Sequence, residues 1–166
     1  EAVRGDITRE TVDAVVNAAN STLFGGGGVD GAIHAAAGPG LLNACRVVRR
    51  RHYPAGLPVG DAVATDAFDL PCRWVIHTVG PNAHRGQTDP ALLASCFTRS
   101  LDVAAELGAR SVAFPAISAG AYGWDADDVA RIAVDAVRGH PLSGVQLVRF
   151  VCFSDSLLAA FTRALG

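Results

Sequence analysis

Two amides, a run of four glycines, a carboxylate and an imidazole follow one another closely near the start of the chain. Asn17 and Asn20 lead into Gly25-Gly26-Gly27-Gly28, and Asp30 and His34 come directly after. The apolar run Ala14-Val15-Val16 ahead of them reads as the end of a buried strand, and Val29 to Ala37 reads as a helix. A strand, a glycine loop and a helix start present backbone N–H groups to a phosphate. Glycine permits close approach and positive φ, and the helix N-terminus adds partial positive charge. Asp30 and His34 stand four residues apart, so they share one helix face. Asn17 and Asn20 fall where the strand ends, the usual ligand edge of an α/β sheet. The alternative is that the glycines only let a helix pack closely on a sheet.

A second stretch repeats the arrangement. Ser111-Val-Ala-Phe-Pro115 reads as a buried strand that releases Ala116-Ile-Ser118-Ala119-Gly120-Ala121-Tyr122-Gly123-Trp124, after which Asp125 caps a helix. Two such loops on one sheet edge can flank one cleft, and a pair of phosphate cradles implies a pyrophosphate ligand. The first loop is not a Walker A motif, because G-x-x-x-x-G-K-S/T is missing and there is no lysine. The first is not a dinucleotide G-x-G-x-x-G either, since Asn20-Ser21-Thr22 intervenes.

The elements that must position these residues alternate along the chain. Ala2 to Arg4 is the tail of a strand, followed by a turn at Gly5-Asp6-Ile7-Thr8. Gly38-Pro39-Gly40 ends one helix and starts another, whose last turns carry Arg46, Arg49, Arg50 and Arg51. That cluster reads most simply as a solvated helix end, with polyanion contact as the other reading. Asp61 to Asp66 alternates like an edge or hairpin strand, and Arg73 to Val79 is a strong strand containing His77, read as a hydrogen-bonded core histidine. A helix runs from Pro90 to about Leu107, another to about Val137, a last strand covers Gln146 to Phe153, and Ser154 or Asp155 caps a C-terminal helix. This alternation implies an α/β fold: a three-layer α/β/α sandwich around a mostly parallel sheet, as one domain over residues 1–166.

Composition narrows the function classes. Half of the 166 residues are hydrophobic and only 18% are charged, which suits one packed domain. The net charge of −2 argues against broad nucleic-acid or membrane-surface binding. There is no lysine, so Schiff-base chemistry is excluded. Cys45, Cys72, Cys96 and Cys152 are widely spaced and form no C-x-x-C, so zinc and a disulfide framework are not expected. No apolar run approaches the length of a membrane span and no signal peptide is evident, so a cytoplasmic location is expected. Glu1-Ala-Val-Arg4 abuts a motif directly, so loss of a preceding segment is expected. The all-arginine, alanine-rich composition points to a GC-rich bacterial genome.

Five stretches carry a resemblance: Gly5-Asp6-Ile7-Thr8, Val16-Asn-Ala-Ala-Asn20, Gly25-Gly-Gly-Gly-Val-Asp-Gly-Ala-Ile-His34, Val75-Ile-His-Thr-Val-Gly-Pro81 and Ser118-Ala-Gly-Ala-Tyr-Gly123. In this order, and over nearly the whole chain, they resemble the macrodomain family and within it the MacroD-type ADP-ribose hydrolases. The resemblance implies that ADP-ribose is the ligand. Asp6 would accept from the adenine amino group, Ile7 would offer its N–H to the ring, and Phe153 would stack on it. The backbone from Gly26 through Gly27 and Gly28 to Val29, with Ser118, Ala119, Gly120, Ala121 and Tyr122, would hold the two phosphates. Asn20 would bind hydroxyls of the distal ribose, and Trp124 falls where the family places an aromatic against that ribose. Asp30 would orient or deprotonate a water that attacks the anomeric carbon and releases a protein carboxylate. His34 would orient Asp30 or the substrate, unless it is only a helix histidine packed on the sheet.

The resemblance thus implies removal of mono-ADP-ribose from acidic side chains of proteins, with O-acetyl-ADP-ribose and nucleic-acid-linked ADP-ribose as further substrates. It implies no cofactor, no metal, no membrane partner and a monomer. The alternatives are a reader module that binds ADP-ribose without turnover and, more remotely, a surface for RNA or poly-ADP-ribose at Arg46 to Arg51, or a nicotinamide dehydrogenase. Two positions depart from the family pattern. Asp125 stands where proline commonly follows the aromatic, and Ala121 is smaller than the usual branched residue, so a looser second loop is expected.

Overall fold

The computed structural model describes every residue from Glu1 to Gly166. Six strands form one sheet: β1 (Ala2–Arg4), β2 (Ala14–Ala19), β3 (Ala62–Asp66), β4 (Trp74–Val79), β5 (Ser111–Phe114) and β6 (Leu147–Cys152). Five helices accompany them: α1 (Gly28–Ala37), α2 (Pro39–Arg51), α3 (Pro90–Leu107), α4 (Ala126–Arg138) and α5 (Asp155–Leu165). The spatial order is β1-β6-β5-β2-β4-β3, with every pair parallel except the edge pair β3/β4. The expected sandwich with a mostly parallel sheet is therefore present, and the alternating stretch forms an edge strand, β3 (Ala62–Asp66).

Local signals set the boundaries. Gly38 at φ +81 ends α1, and Pro39 occupies the first turn of α2. Asp89 accepts from the Ala91 N–H ahead of α3, whose far end closes on a left-handed Gly108. Asp125 accepts from the Asp128 N–H and caps α4, and Ser154 accepts from the Leu157 N–H and caps α5.

Strand alternation divides the core between the two faces. Val15, Ala19, Val75 and Val79 face α1 and α2, with Ile33, Leu41 and Cys45 packed on them. Val16, Ile76, Val112 and Phe114 face α3, α4 and α5. The second layer is knitted by aromatic contacts: Phe114 lies 5.1 Å from Phe97, and Phe150 lies 4.8 Å from Phe161, centroid to centroid. All four cysteines are buried free thiols. Desolvation raises the thiol pKa of Cys45 to about 12, and those of Cys96 and Cys152 to about 11, so they behave as small apolar side chains.

β2 and β5 are neighbours, yet the helix after β2 lies on one face of the sheet and the helix after β5 on the other. The two chain segments diverge at the carboxyl edge and leave a crevice between them, the place where open α/β sheets bind ligands.

Candidate active site

A cleft of about 430 Å³ occupies that crevice. Its walls are Asn20, Gly26 to Asp30, Gly80, Pro115 to Ser118, Gly120 to Tyr122 and Phe153, with Ala18 and Ala19 at the floor. Both glycine-containing loops open on the same groove, and Asp30 lines it beside the first loop.

The first loop supplies donors. None of the N–H groups from Gly25 to Val29 has a hydrogen-bond acceptor within the protein, and Gly27, which precedes α1, provides no side-chain cap. The free N–H groups of the first helical turn therefore face the cleft with the positive end of the helix dipole behind them. The loop lies close against its own helix: a Cβ on Gly31 would stand 2.4 Å from the Gly26 carbonyl oxygen. Asn20 braces it from within. Its Oδ1 accepts from the N–H and hydroxyl of Thr22, and its Nδ2 donates to the Gly25 carbonyl at 3.0 Å, leaving one amide hydrogen toward the cleft.

The second loop is held by strain and by packing. Ser118 adopts φ +68, uncommon for a residue with a Cβ. Its hydroxyl donates to the Pro81 carbonyl at 2.8 Å, and its own carbonyl accepts from the Trp124 N–H. The N–H groups of Ser118, Gly120, Ala121 and Tyr122 have no acceptor within the protein. Gly80, at the end of β4, leaves room for this turn, because a Cβ there would come within 2.3 Å of Ser118 Oγ.

Asp30 is 5% exposed. Oδ1 accepts from Asn17 Nδ2 at 2.9 Å, while Oδ2 faces the glycine loop, 3.3 Å from where a Gly26 Cβ would sit. Desolvation pushes this carboxyl above the usual aspartate range, against the opposing pull of the Asn17 hydrogen bond and the His34 charge. His34 stands behind Asp30, with Nε2 3.5 Å from Oδ1. That is near enough for a charge interaction but misaligned for a hydrogen bond, so Nε2 lacks a partner in the protein. The imidazole lies against Gly25 and borders a second, shallower depression with Phe24 and Leu42 rather than the cleft itself.

At the outer end, β1 pairs with β6 up to Arg4 opposite Cys152, so the Gly5-Asp6-Ile7 turn leaves the sheet near exposed Phe153. Neither Asp6 nor Ile7, both expected at the ligand, lines the cleft, and Ile7 is buried in the core. Asp6 is a capping residue: its Oδ1 accepts from the Thr8 N–H and hydroxyl, which hold its carboxyl below the usual range. Its other oxygen has no such bond.

Besides Asp6 and Ile7, three positions differ from expectation. Trp124 does not line the cleft. The chain reverses at Gly123, φ +76, and delivers the indole to the α3/α4 side, where it borders a separate depression with Ala83, Thr88 and Pro90; Tyr122 is the aromatic that this loop sets on the cleft wall. Ala119 also stands outside the lining, its N–H turned back onto the Ala116 carbonyl. Arg49 is not a solvated helix end. It donates to the carbonyls of Thr22, Tyr53 and Pro54 and lies 5.1 Å over the Phe24 ring, tying α2 to the start of the glycine loop. Nothing local in the sequence separates Arg49 from Arg46 or Arg50. Gly80 is likewise marked in the sequence only by its place just after a strand.

The geometry can be set beside known proteins. The sequence profile of the Macro domain matches residues 16–133. The chain belongs to the Macro domain family. A Macro domain-containing protein of Streptomyces griseus is 57% identical over 99% of this chain and 93% of its own length. A protein of Klebsiella pneumoniae named O-acetyl-ADP-ribose deacetylase is 48% identical over 100% of this chain and 95% of its own. Among solved structures, a mutant macrodomain of Oceanobacillus iheyensis with ADPR is 42% identical, with a TM-score of 0.92 over 99% of this chain and 90% of that one. The Trypanosoma brucei macrodomain in complex with ADP-ribose is 35% identical, with a TM-score of 0.90 over 99% of this chain and 68% of that one. These likenesses fix the family and the α/β/α fold of this macrodomain.

Proposed function

We propose that this macrodomain binds ADP-ribose and hydrolyses derivatives esterified at its distal ribose, with mono-ADP-ribosylated acidic side chains of proteins as its main substrates and O-acetyl-ADP-ribose as a second. The observation that carries the reading is the meeting of two loops of free N–H groups in one cleft that a buried carboxylate also lines. The loops offer a diphosphate the donors it needs. Phe153, Asp6 and Ile7 offer an adenine one stacking face, one acceptor and one backbone donor. The ligands of the relatives support the same identity.

In this mechanism the diphosphate brings the distal ribose to Asp30. Oδ2 and an α-phosphate oxygen orient a water whose oxygen forms a bond to the anomeric carbon. The bond from that carbon to the ester oxygen breaks and leaves the protein carboxylate with its electron pair. On O-acetyl-ADP-ribose, whose ester is carried by a ribose hydroxyl, the same water adds to the acyl carbonyl instead, and the bond from that carbon to the ribose oxygen breaks to give acetate and the free hydroxyl. The proton of the water passes to Asp30 and then to solvent. Burial makes Asp30 a stronger base than a solvated aspartate, and the adjacent anion stabilises the oxocarbenium-like centre. Asn20 holds the glycine loop and turns its remaining amide hydrogen toward the ribose hydroxyls.

The test is release of label from a Glu-linked mono-ADP-ribosylated protein and of acetate from O-acetyl-ADP-ribose, with Asp30→Ala beside the wild type and a chelator in a parallel arm. Turnover is expected in wild type with and without chelator. Asp30→Ala is expected to lose it while still binding free ADP-ribose. Wild-type binding without turnover on either substrate would leave only the reader function.

A further inference from the structure

Three polar side chains lie within the otherwise apolar layer beneath α1 and α2, and none of them touches the cleft. Asn17 on β2 is directly opposite His77 on β4, and Thr65 on β3 stands diagonally across from His77. All three are buried, Asn17 and His77 completely. Polar groups in such a place must be paired, and here the pairing has a direction.

The Thr65 hydroxyl donates to the Asp66 carbonyl at 3.0 Å. Its oxygen, 3.0 Å from His77 Nε2, must then accept, which places the ring hydrogen on Nε2. Nδ1 is left as a lone pair, 3.1 Å from Asn17 Nδ2, so the Asn17 amide must present its N–H there. The other hydrogen of the same Nδ2 goes to Asp30 Oδ1 at 2.9 Å. With its amide reversed, Asn17 would set its carbonyl oxygen against both a carboxylate oxygen and an imidazole lone pair. Asn17 Oδ1 is consequently left buried with no partner. An orphaned oxygen of that kind is costly, and it is kept here because the amide is held from the other end.

We infer that His77, fixed by Thr65, is a positioning residue that locks the Asn17 amide with both N–H groups committed, and through it aims the Asp30 carboxylate into the cleft. The relay starts at a backbone carbonyl of the edge strand and ends at the group assigned as base, crossing three strands. Cys45 of α2, its Sγ 3.8 Å from Nε2, and His34 of α1, its ring 6.4 Å from that of His77, are the other titratable groups around it. Desolvation holds His77 down to about pKa 3, so it stays neutral and keeps this polarity across the working pH range.

The inference rests on the proposed hydrolase only for its kinetic consequence, so the experiment has two independent readouts. Thr65→Val removes the fixing acceptor with little change of shape. His77→Leu removes both ring nitrogens, and His77→Asn restores an acceptor near the position of Nδ1. The first readout is a carbon-13 NMR titration of the Asp30 carboxyl in ligand-free protein, with nitrogen-15 shifts reporting the His77 tautomer. Wild type is expected to carry the hydrogen on Nε2. Thr65→Val and His77→Leu are expected to move the Asp30 midpoint to higher pH, and His77→Asn to bring it back toward wild type. The second is turnover of the Glu-linked substrate, where Thr65→Val is expected to lower kcat about tenfold or more and leave KM and free ADP-ribose affinity within about twofold. An Asp30 midpoint in His77→Leu equal to that of wild type, or a His77 hydrogen on Nδ1 in wild type, overturns the relay. Absence of turnover in wild type would sink the hydrolase reading and leave the titration to decide the relay alone.

Discussion

Gly31→Ala sets two opposing effects against each other at the phosphate cradle. Gly31 lies in α1, where alanine ordinarily stabilises by about 0.5–1 kcal/mol through helix propensity. Here the new Cβ would meet the Gly26 carbonyl oxygen at 2.4 Å, a backbone atom with no rotamer to escape into. Overpacking of this kind costs about 1–3 kcal/mol, which matches or exceeds the propensity gain. The helix is anchored by fully buried Ile33, whereas Gly26 to Gly28 are exposed, so the loop is the part that moves. Reaching ordinary contact at 3.4 Å displaces the Gly26 carbonyl by about 1 Å, and Gly26 lines the cleft. A hydrogen bond to a charged group is worth about 1.5–3 kcal/mol, so misplacing one phosphate donor weakens ADP-ribose binding by about 10- to 100-fold. Titration calorimetry with ADP-ribose and urea unfolding measure the two halves. The expected result is a clear loss of affinity with stability within about 2 kcal/mol of wild type. A Gly31→Ala protein that is more stable than wild type and binds ADP-ribose equally well would refute the reasoning.

Asp30→Asn is expected to raise stability near neutral pH while removing turnover. The buried carboxyl has a raised folded pKa, so the folded state binds more protons than the unfolded state above the unfolded value of 3.8, and ionisation opposes folding. The advantage of the variant in thermal unfolding should shrink as pH falls through the folded pKa; a constant advantage would contradict burial as its source. His77 acts in the opposite sense. Its imidazole titrates at about 6.5 unfolded and about 3 folded, so the unfolded state takes up the extra proton between those values and stability falls as pH drops. At about 1.4 kcal/mol per pH unit the full loss is about 5 kcal/mol. His77→Asn should flatten the acid limb of stability between about pH 6 and 4, and an unchanged limb would place the acid sensitivity elsewhere. Phe153→Ala removes a ring that is 61% exposed, so unfolding should be unaffected. Loss of a base-stacking contact worth about 1–3 kcal/mol should weaken ADP-ribose binding about 5- to 100-fold, as read by calorimetry.

The sequence by itself determined the local parts of this molecule. Strand and helix limits were legible because glycine, proline and capping side chains act within a few residues of themselves: Gly38-Pro39, Asp89-Pro90, Gly108 and Asp125 each end or start an element where expected. The cradle around Gly26 to Val29 and the place of Asp30 one turn ahead of His34 were legible for the same reason. Tertiary structure decided everything that depends on which strands are neighbours. The pairing of β2 with β5 brings the two loops to one cleft, and the pairing of β1 with β6 brings the turn after Arg4 toward the end of the last strand. The reversal at Gly123 sends Trp124 away from that cleft although it is close in sequence to Tyr122. Arg49 and the Thr65–His77–Asn17 relay were invisible in the sequence because each joins segments far apart along the chain. Strand register and helix docking are collective outcomes of burying two apolar faces at once, and no single residue type announces them.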